Sequence, residues 1–395
     1  MSLTRAIRAS MLAGLVVVPV SPAMAEIKWN GFLSVGAGKT FGSEETHAGY
    51  DEDLSFGPDS VLGLQASSDL GENLSVTGQL VTRGETGEVK AEWLYLSYQF
   101  NPNLRVNVGR QRLPLFLHSD YLDVGYAYHF QRPPTSVYSS PINSGDNITL
   151  LYDRMMGPVE AKLQLFTGSY NERGLEVDGM DGELNLNIHK NMGGALTLVY
   201  DNWLTFRANY VSSTITIDGT GYAAVPAIRQ LALDAGNAAV AKAFDNDEAK
   251  YTFGGVAVSA DLNDYLLMAE ATQIDMDNND QETKAFYVSA ARRFGSVMPY
   301  VTLERSEVRS NSDLHKDIVV TDPTSLNAAL RYAVNAYANG VDVNEYLYSV
   351  GVRYDFHPSA ALKVQYTKVD DQRDEALTGT SRDANLLSFS IDTVF

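Results

Sequence analysis

The chain has 395 residues, with 30 Lys and Arg against 49 Asp and Glu, and therefore a net charge of −19 at pH 7. This acidic balance argues against a nucleic-acid partner, which would need a basic face. There is no cysteine, so an exported form of the chain would not depend on disulfides. Abundant tyrosine (22) and glycine (31), with little helix-type apolar spacing, indicate an all-β protein with many turns.

The N-terminal segment has the pattern of a secretory signal peptide. Two arginines in the first eight residues precede an apolar run from Met11 to Val20, and Ala-Met-Ala at 23–25 matches a signal-peptidase site. The apolar run is too short to span a membrane as a helix. We expect residues 1–25 to be removed after export, which leaves residues 26–395 as one domain.

From Glu26 onward the sequence alternates apolar and polar residues in stretches of about ten, as in membrane-spanning strands. Turn-forming residues separate these stretches at 69–73, 101–103, 157–158, 201–203, 262–264, 295–296 and 357–359. The intervening connections, long with one exception, are 41–58, 84–89, 115–146, 171–192, 218–250, 275–283, 310–345 and 370–383. Fifteen connections join sixteen antiparallel strands. Short turns on one side and long loops on the other are typical of outer-membrane barrels, in which the turns are periplasmic and the loops extracellular.

The two faces of the predicted strands differ in polarity. In the fourteenth strand, residues 346 to 356 alternate between two faces. One face carries Tyr, Val and Phe, and the other carries Ser, Gly, Arg353 and Asp355. The last strand alternates in the same way up to the terminal Phe395. A soluble sheet would also alternate, so no single strand decides between water and lipid. Sixteen such strands, an export signal and a terminal aromatic residue together favour a transmembrane barrel.

The chain beyond residue 25 resembles the trimeric general porins of Gram-negative bacteria. The resemblance rests on the strand count, the long third loop and the aromatic strand that ends at Phe395. It implies a homotrimer surrounded by outer-membrane lipids and lipopolysaccharide, with Phe395 as part of the signal for the barrel-assembly machinery. Small and apolar residues of the first strand, Gly31, Leu33 and Val35, offer a subunit contact face. The second loop, 84–89, is too short to latch a neighbouring subunit, and the third loop lacks the Gly-rich tip of enteric porins, so we expect a separate branch.

Sixteen strands enclose an aqueous channel that wall side chains cannot fill. The resemblance implies that the third loop folds inward and narrows this channel, and the loop offers Asp120, Tyr121 and Asp123 for a constriction. The polar faces of the strands carry candidates for a basic cluster on the opposite wall: Arg83, Arg105, Arg207, Arg293 and Arg353. Arg110 and Arg112 would join that cluster if a β-bulge at Gly109 turned them inward, and would otherwise face a subunit contact.

Other motifs favour ordinary explanations. Gly38-Lys39-Thr40 resembles a phosphate-binding loop, but Leu33 stands where that motif requires glycine. The six histidines have no metal-ligand spacing, and no GxSxG elbow occurs, so we predict no metal, no cofactor and no catalysis. A barrel enzyme with a site assembled from distant residues stays an alternative. Acidic clusters at 51–53 and 275–277, with Asp280 nearby, are either a solvated face or a divalent-cation bridge to lipopolysaccharide.

Two long loops carry helical patterns. Asp322-Pro323 can cap a helix that Gly340 ends, and residues 227–242 read similarly despite Gly236. We expect both helices to pack among the loops on the extracellular side. The sequence thus predicts a porin for passive diffusion of ions and small hydrophilic solutes. A substrate-specific porin, a non-conducting receptor or adhesin barrel and a soluble secreted β-protein are the alternatives.

Overall fold

The structure is a computed structural model, and it describes residues 26–42, 45–138, 140, 142–176, 182–245, 247–277, 281–310, 314–373 and 381–395. The predicted signal peptide and Asp280 lie outside these ranges. Within them, sixteen antiparallel strands form a closed barrel in which each strand pairs with its sequence neighbours and the last pairs with the first. The predicted fold class is therefore confirmed.

The strands are β1 Ile27–Thr40, β2 Val61–Gly71, β3 Leu74–Arg83, β4 Val89–Asn101, β5 Leu104–Arg112, β6 Ser144–Met156, β7 Val159–Glu176, β8 Glu183–Tyr200, β9 Leu204–Asp218, β10 Ala249–Leu262, β11 Tyr265–Met276, β12 Gln281–Arg292, β13 Val297–Arg309, β14 Val343–His357, β15 Ala360–Asp371 and β16 Ala384–Val394. All seven predicted tight turns join consecutive strands. The bounds predicted for the connection at 171–192 are wrong, because β7 ends only at Glu176 and β8 already begins at Glu183. Their extra residues pair across the sheet, Leu175 with Leu184 for example, and Leu184 is buried.

Side chains alternate between lipid and lumen as predicted. Tyr348, Val350 and Phe356 of β14 are about half exposed on the outer surface, in keeping with contact to lipid. Lys363 of β15 and Asp392 of β16 point the other way and are fully buried inside the barrel. The barrel wall therefore separates an apolar exterior from a charged interior.

Phe395 completes the seam between the first and last strands. Its backbone N–H donates to the carbonyl of Gly31 (N to O, 2.9 Å), and its carbonyl accepts from the Gly31 N–H (N to O, 2.7 Å). The phenyl ring lies over Gly31, where a Cβ atom would come within 2.3 Å of the ring Cε2. Gly31, predicted as part of a subunit contact, is thus covered by the chain's own terminal ring.

The helices lie in the long loops: α1 Thr135–Tyr138, α2 Ala224–Asp234, α3 Ala238–Ala243, α4 Leu314–Asp317 and α5 Leu326–Val341. Helices α2, α3 and α5 share a small apolar core around Phe244, Leu330 and Val334. Within the described ranges, no helix is both long enough and apolar enough to cross a membrane.

The predicted helix ends need correction. Ser325, and not Asp322, caps α5 by accepting from the Ala328 N–H (N to Oγ, 3.3 Å), while the Asp322 carboxylate bonds the Thr324 N–H in the preceding turn. Helix α5 also continues past Gly340. The helix predicted at 227–242 is divided at Gly236, whose φ of +71° an L-residue rarely adopts.

Candidate pore constriction

Loop 3, residues 113–143, leaves β5 and folds into the barrel. Two of its groups donate to the Glu270 carboxylate of β11: the Leu117 N–H (N to Oε1, 2.9 Å) and the Tyr138 hydroxyl (O to Oε2, 2.6 Å). The Ser136 N–H donates to Glu304 of β13 (N to Oε2, 3.1 Å). Both glutamates are almost fully buried, and they fasten the loop to the wall opposite its origin. The predicted inward fold of the loop is confirmed.

Arg353 of β14 fastens the middle of the loop. Its Nη1 donates to the carbonyl oxygens of Tyr126 and Tyr128, each at 2.8 Å, and its Nε pairs with Asp355 (N to Oδ1, 2.8 Å). The guanidinium also lies over the Tyr126 ring, 4.8 Å from its centroid. Arg353 therefore belongs to the wall that holds the loop and not to a cluster facing it.

A buried ion pair lies beside this contact. Nζ of Lys363 in β15 donates to the Gly125 carbonyl of loop 3 (2.5 Å) and pairs with Asp392 of β16 (Nζ to Oδ2, 3.1 Å). Lys363 is also within cation–π distance of Tyr128, with Nζ 4.6 Å from the ring centroid. Lys363, Glu270 and Glu304 are not among the predicted site residues, which include only arginines on the wall, although strand alternation places all three in the lumen.

An aromatic core fills the space between loop 3 and its wall. His118 stacks on Tyr138 with ring centroids 5.7 Å apart, and its Nδ1 lies 2.8 Å from the Tyr121 hydroxyl. Burial lowers the pKa of His118 to about 3, and burial also holds the pKa of His129 well below its ordinary value. Both histidines are therefore neutral at pH 7, and they serve as packing residues.

The side of loop 3 that faces β3–β5 closes a charged cavity near the long loops, which we call the loop-side cavity. Asp123 of the loop pairs with Arg83 (Oδ1 to Nη2, 2.8 Å) and with Arg112. The same two arginines share Glu92 of β4, whose Oε1 lies 2.9 Å from Arg83 Nη1 and whose Oε2 lies 3.6 Å from Arg112 Nη2. The structure thus brings three of the predicted site residues, Asp123, Arg83 and Arg112, into one network.

Arg110 also lines the loop-side cavity, but it does not contact the loop acids. Its Nε pairs with Asp146 of β6 (N to Oδ1, 2.9 Å). The β-bulge considered at Gly109 does not form, because β4 and β5 pair without a shift through this residue. The irregularity lies in the neighbouring pair of strands, where Glu92 is the extra residue between β4 and β3.

A second cavity lies beneath loop 3, near the short turns, and we call it the turn-side cavity. Asp120 and Tyr121 of the loop line it together with Arg105 and Arg207 of the wall. Asp120 and Arg105 are exposed, whereas Arg207 is 6% exposed. These four predicted residues share a cavity without an ion pair between them in the part of the chain that the structure describes.

The acidic loop clusters form no metal site in the described ranges, since no group of three or more His, Asp or Glu side chains is placed to hold an ion there. In the first cluster, the Asp51 carboxylate accepts from the Asp53 N–H (N to Oδ1, 2.9 Å). In the second, Asp275 accepts from the Gln273 amide. The contacts of both clusters are local.

The chain is similar to known proteins both in sequence pattern and in fold. A family model described as Gram-negative porin matches residues 10–311. Similar solved structures include Salmonella typhi OmpF in complex with daunomycin (TM-score 0.58, 11% identity, 94% of this chain and 98% of that chain) and a loop L8 deletion mutant of OmpT, an outer membrane protein of Vibrio cholerae (0.56, 13%, 94% and 99%). An anion-selective porin from Comamonas acidovorans is also similar (0.53, 14%, 94% and 100%). At these identities the likeness concerns the fold alone, and no curated protein matches the chain in sequence.

Proposed function

Because the chain belongs to the Gram-negative porin family, we propose that it is a non-catalytic channel for passive diffusion of ions and small hydrophilic solutes across the outer membrane. The observation that carries this proposal is the closed barrel with loop 3 folded inside it and a charged cavity on either side of the loop. A pore of this width needs such a constriction to discriminate among solutes.

The charged residues at the constriction support selectivity between cations and anions. Asp120 and Asp123 lie on the loop, while Arg83, Arg105 and Arg112 lie on the wall that faces it. Asp123 bonds Arg83 and Arg112 directly, so the opposite charges that lie apart are Asp120 and Arg105, which line the turn-side cavity together. Opposite charges across a water-filled gap produce a transverse field that orients dipolar solutes and weights the passage of ions. We assign these residues, with Tyr121 and Arg207, to the constriction of the proposed channel.

Single-channel recording in planar bilayers tests the channel itself. A diffusion porin conducts K⁺ and Cl⁻ in steps whose size rises with salt concentration, and neutral sugars enter without saturation. A sealed receptor or adhesin barrel would show no steps, which would contradict the proposal. Saturation by one neutral sugar at low concentration would instead identify a sugar-specific porin.

Assembly is part of the same proposal. We expect a homotrimer in contact with outer-membrane lipids and lipopolysaccharide, inserted by the barrel-assembly machinery through its recognition of the last strand. The position of Phe395 at the closing seam supports this role. Deletion of Phe395 should lower the amount of heat-shiftable barrel in outer membranes, whereas Phe356→Ala, at another exposed aromatic residue, should not. Normal levels after the deletion would contradict the role, and a monomer under gentle extraction would contradict the trimer.

A further inference from the structure

Apolar side chains fill the lumen beside β8, β9 and β10 at the end near the long loops. Buried residues of these strands share one cluster with Phe116 and Tyr138 of loop 3, among them Leu184, Ile188, Val211 and Phe253. The rings of Phe253 and Phe116 meet edge to face with centroids 5.4 Å apart. A close-packed apolar core leaves no room for hydrated ions or solutes. This side of the lumen is therefore filled above loop 3.

The helices of two long loops form a second apolar cluster next to this core. Loop 5 (219–248) carries α2 and α3, loop 7 (310–342) carries α4 and α5, and residues of both loops pack together. Phe244, at the end of α3, lies against Tyr337 of α5 with ring centroids 5.4 Å apart. Tyr222, just before α2, packs against both apolar clusters. The helices thus lie directly over the filled side of the lumen, and we call them the lid.

Hydrogen bonds also fasten the lid to the neighbouring loop, which joins β15 to β16. At the C-terminal end of α5, Arg382 of that loop donates to the Gly340 carbonyl (Nη2 to O, 2.9 Å), and Arg373 donates to the Asp342 carbonyl (Nη1 to O, 3.3 Å). The Asp342 carboxylate in turn accepts from the Ser310 N–H (N to Oδ1, 2.7 Å). Cations that bond the last carbonyls of a helix also interact favourably with its dipole. The lid is therefore held at the rim as well as at the core.

The rim at β3 and β4 has a different structure. Loop 2, which joins these strands, consists of residues 84–88, all of which are exposed. Thr86 and Glu88 of this loop line the loop-side cavity together with Asp123 and Arg112 of the constriction. One cavity thus leads from the solvent-exposed loop 2 to the constriction.

We propose that the lid closes the mouth of the barrel above β8 to β14, and that ions and solutes enter through a side entrance beside loop 2. The inference rests on the proposed channel function and identifies the residues that a solute meets first. The entrance is charged, because Lys90 lies between Glu172 (Nζ to Oε1, 2.8 Å) and Glu88 (Nζ to Oε2, 3.5 Å). Charged groups at an entrance suit hydrophilic solutes.

Engineered thiols can map the entrance, because the chain contains no cysteine. Thr86→Cys places a thiol on loop 2, and Ala336→Cys, the matched control, places one on the exposed face of α5. Each purified variant is labelled with fluorescein maleimide, and its single-channel conductance in KCl is measured in planar bilayers before and after labelling. Fluorescence of the porin band on a gel confirms that both variants are labelled equally.

The label should lower the conductance of Thr86→Cys by about half or more, because a bulky group then occupies the route to the constriction. The conductance of Ala336→Cys should change by less than about a tenth, because its label lies on the lid. Equal losses in the two variants, or conductance of Thr86→Cys that complete labelling leaves unchanged, would overturn the side entrance while the channel proposal stands. If Thr86→Cys does not assemble, Glu88→Cys on the same loop takes its place with the same expected loss.

A second variant tests whether the lid itself controls the current. Phe244 is fully buried, and Phe244→Ala removes the ring that packs against Tyr337 and so loosens the lid. Conductance should stay within about a tenth of the wild-type value, because the apolar core under the lid is still filled. A severalfold rise would show that the main route runs under the lid and would overturn the proposal. Absence of any KCl conductance in the wild type would overturn the channel function and this inference with it.

Discussion

The two sides of the pore use charged residues in different ways. Under loop 3, on β11 to β16, the buried charges bond the loop: Glu270 and Glu304 accept from it, and Lys363 donates to it. On the facing wall, β3 to β9, Arg83 and Arg112 also bond the loop, through Asp123 alone, and Arg83 and Arg207 line cavities. We call these the anchoring wall and the open wall.

Arg353 and Arg207 show what the difference teaches. Both are mid-strand arginines that alternation places in the lumen, and both are more than nine-tenths buried. Arg353 bonds two loop carbonyls, whereas Arg207 bonds neutral wall oxygens and has a buried Nε without a hydrogen-bond partner. Alternation along a strand thus shows that a charged side chain points into the lumen, but it does not show the role of that charge. The role depends on the wall against which loop 3 lies.

Removing the loop should erase the distinction between the walls and have the largest effect on conduction. Deletion of His118 to Arg132 removes Asp120 and Asp123 and uncovers the anchoring wall. Channel conductance should rise severalfold, and selectivity between K⁺ and Cl⁻ should weaken, as measured by single-channel currents and reversal potentials. A heat-shifted band on a denaturing gel checks that the barrel has assembled. Unchanged conductance would place the constriction elsewhere, for example in the loop at 219–248.

Lys363→Met should break the anchoring wall at its most buried point. The substitution leaves Asp392, which is 1% exposed, as a buried carboxylate without its cation. We expect the free energy of unfolding to fall by about 3–5 kcal/mol, the usual cost of removing one partner of a buried pair. Denaturant unfolding in detergent micelles measures it.

The matched control on the open wall is Lys162→Met. Lys162 is 45% exposed in its side chain and pairs with a partly exposed Glu160. Its loss should change stability by less than about 1 kcal/mol, as for other exposed pairs. Equal destabilisation by the two substitutions would contradict the distinction between an anchoring and an open wall.

Buried His118 of loop 3 should make the anchored loop sensitive to acid. The pKa of His118 is lowered from 6.5 to about 3, so below pH 6.5 the unfolded chain binds a proton that the folded chain does not. Stability should therefore fall as the pH drops from about 6.5 to 3, by up to roughly 1.4 kcal/mol per pH unit from this residue. His118→Phe keeps an aromatic ring against Tyr138 and should flatten that slope.

The comparison requires unfolding curves at pH 6.5 and pH 4.5 for the wild type and the variant. His357→Phe, at the exposed end of β14, is the control and should keep the wild-type slope. Other groups titrate in this range, so the quantity of interest is the difference between the two slopes. Identical slopes for the wild type and His118→Phe would show that the loop histidine does not contribute.

Local signals explain what the sequence could predict. Alternation of apolar and polar residues and the chemistry of tight turns act over a few residues, and they identified the turns and the sixteen strands. The polar segment at 171–192 predicts a loop although most of it is strand, because strand residues outside the hydrocarbon layer need no apolar outer face. The cap of α5 was misplaced by three residues, since Asp322, Thr324 and Ser325 all have capping side chains.

Long-range contacts explain what the sequence could not predict. The contact of Arg353 with Tyr126 joins residues 227 positions apart, and that of Lys363 with Gly125 joins residues 238 apart. Neither follows from a pattern within one strand. The same holds for Glu92, which becomes a partner of Arg83 and Arg112 through an irregularity in the β3–β4 pairing. These contacts determine which wall is open.

The smallest expected effect is the difference in reversal potential between substitutions of the two loop acids that face the open wall. Asp123 is nearly buried and lies between Arg83 and Arg112, whereas Asp120 is exposed on the turn-side cavity. Each Asp→Asn change removes one negative charge from the gap and should shift selectivity towards anions. Asp123→Asn should shift the reversal potential more, because salt screens a buried charge less and because two arginines are then left with only Glu92.

The dependence on salt decides whether these shifts come from the field across the gap. The Debye length is roughly 10 Å at 0.1 M and 3 Å at 1 M, so the shift for exposed Asp120→Asn should largely vanish at high salt while that for Asp123→Asn should persist. Asp146→Asn is a control, since Asp146 pairs with Arg110 and not with the residues of the gap. Reversal potentials of the double variant Asp120→Asn/Asp123→Asn that match the wild type at 0.1 M would show that these acids do not line the conducting path. A shift of equal size for both single variants at 1 M would show instead that Asp120 is as shielded from water and salt as Asp123. The turn-side cavity would then be closed to water.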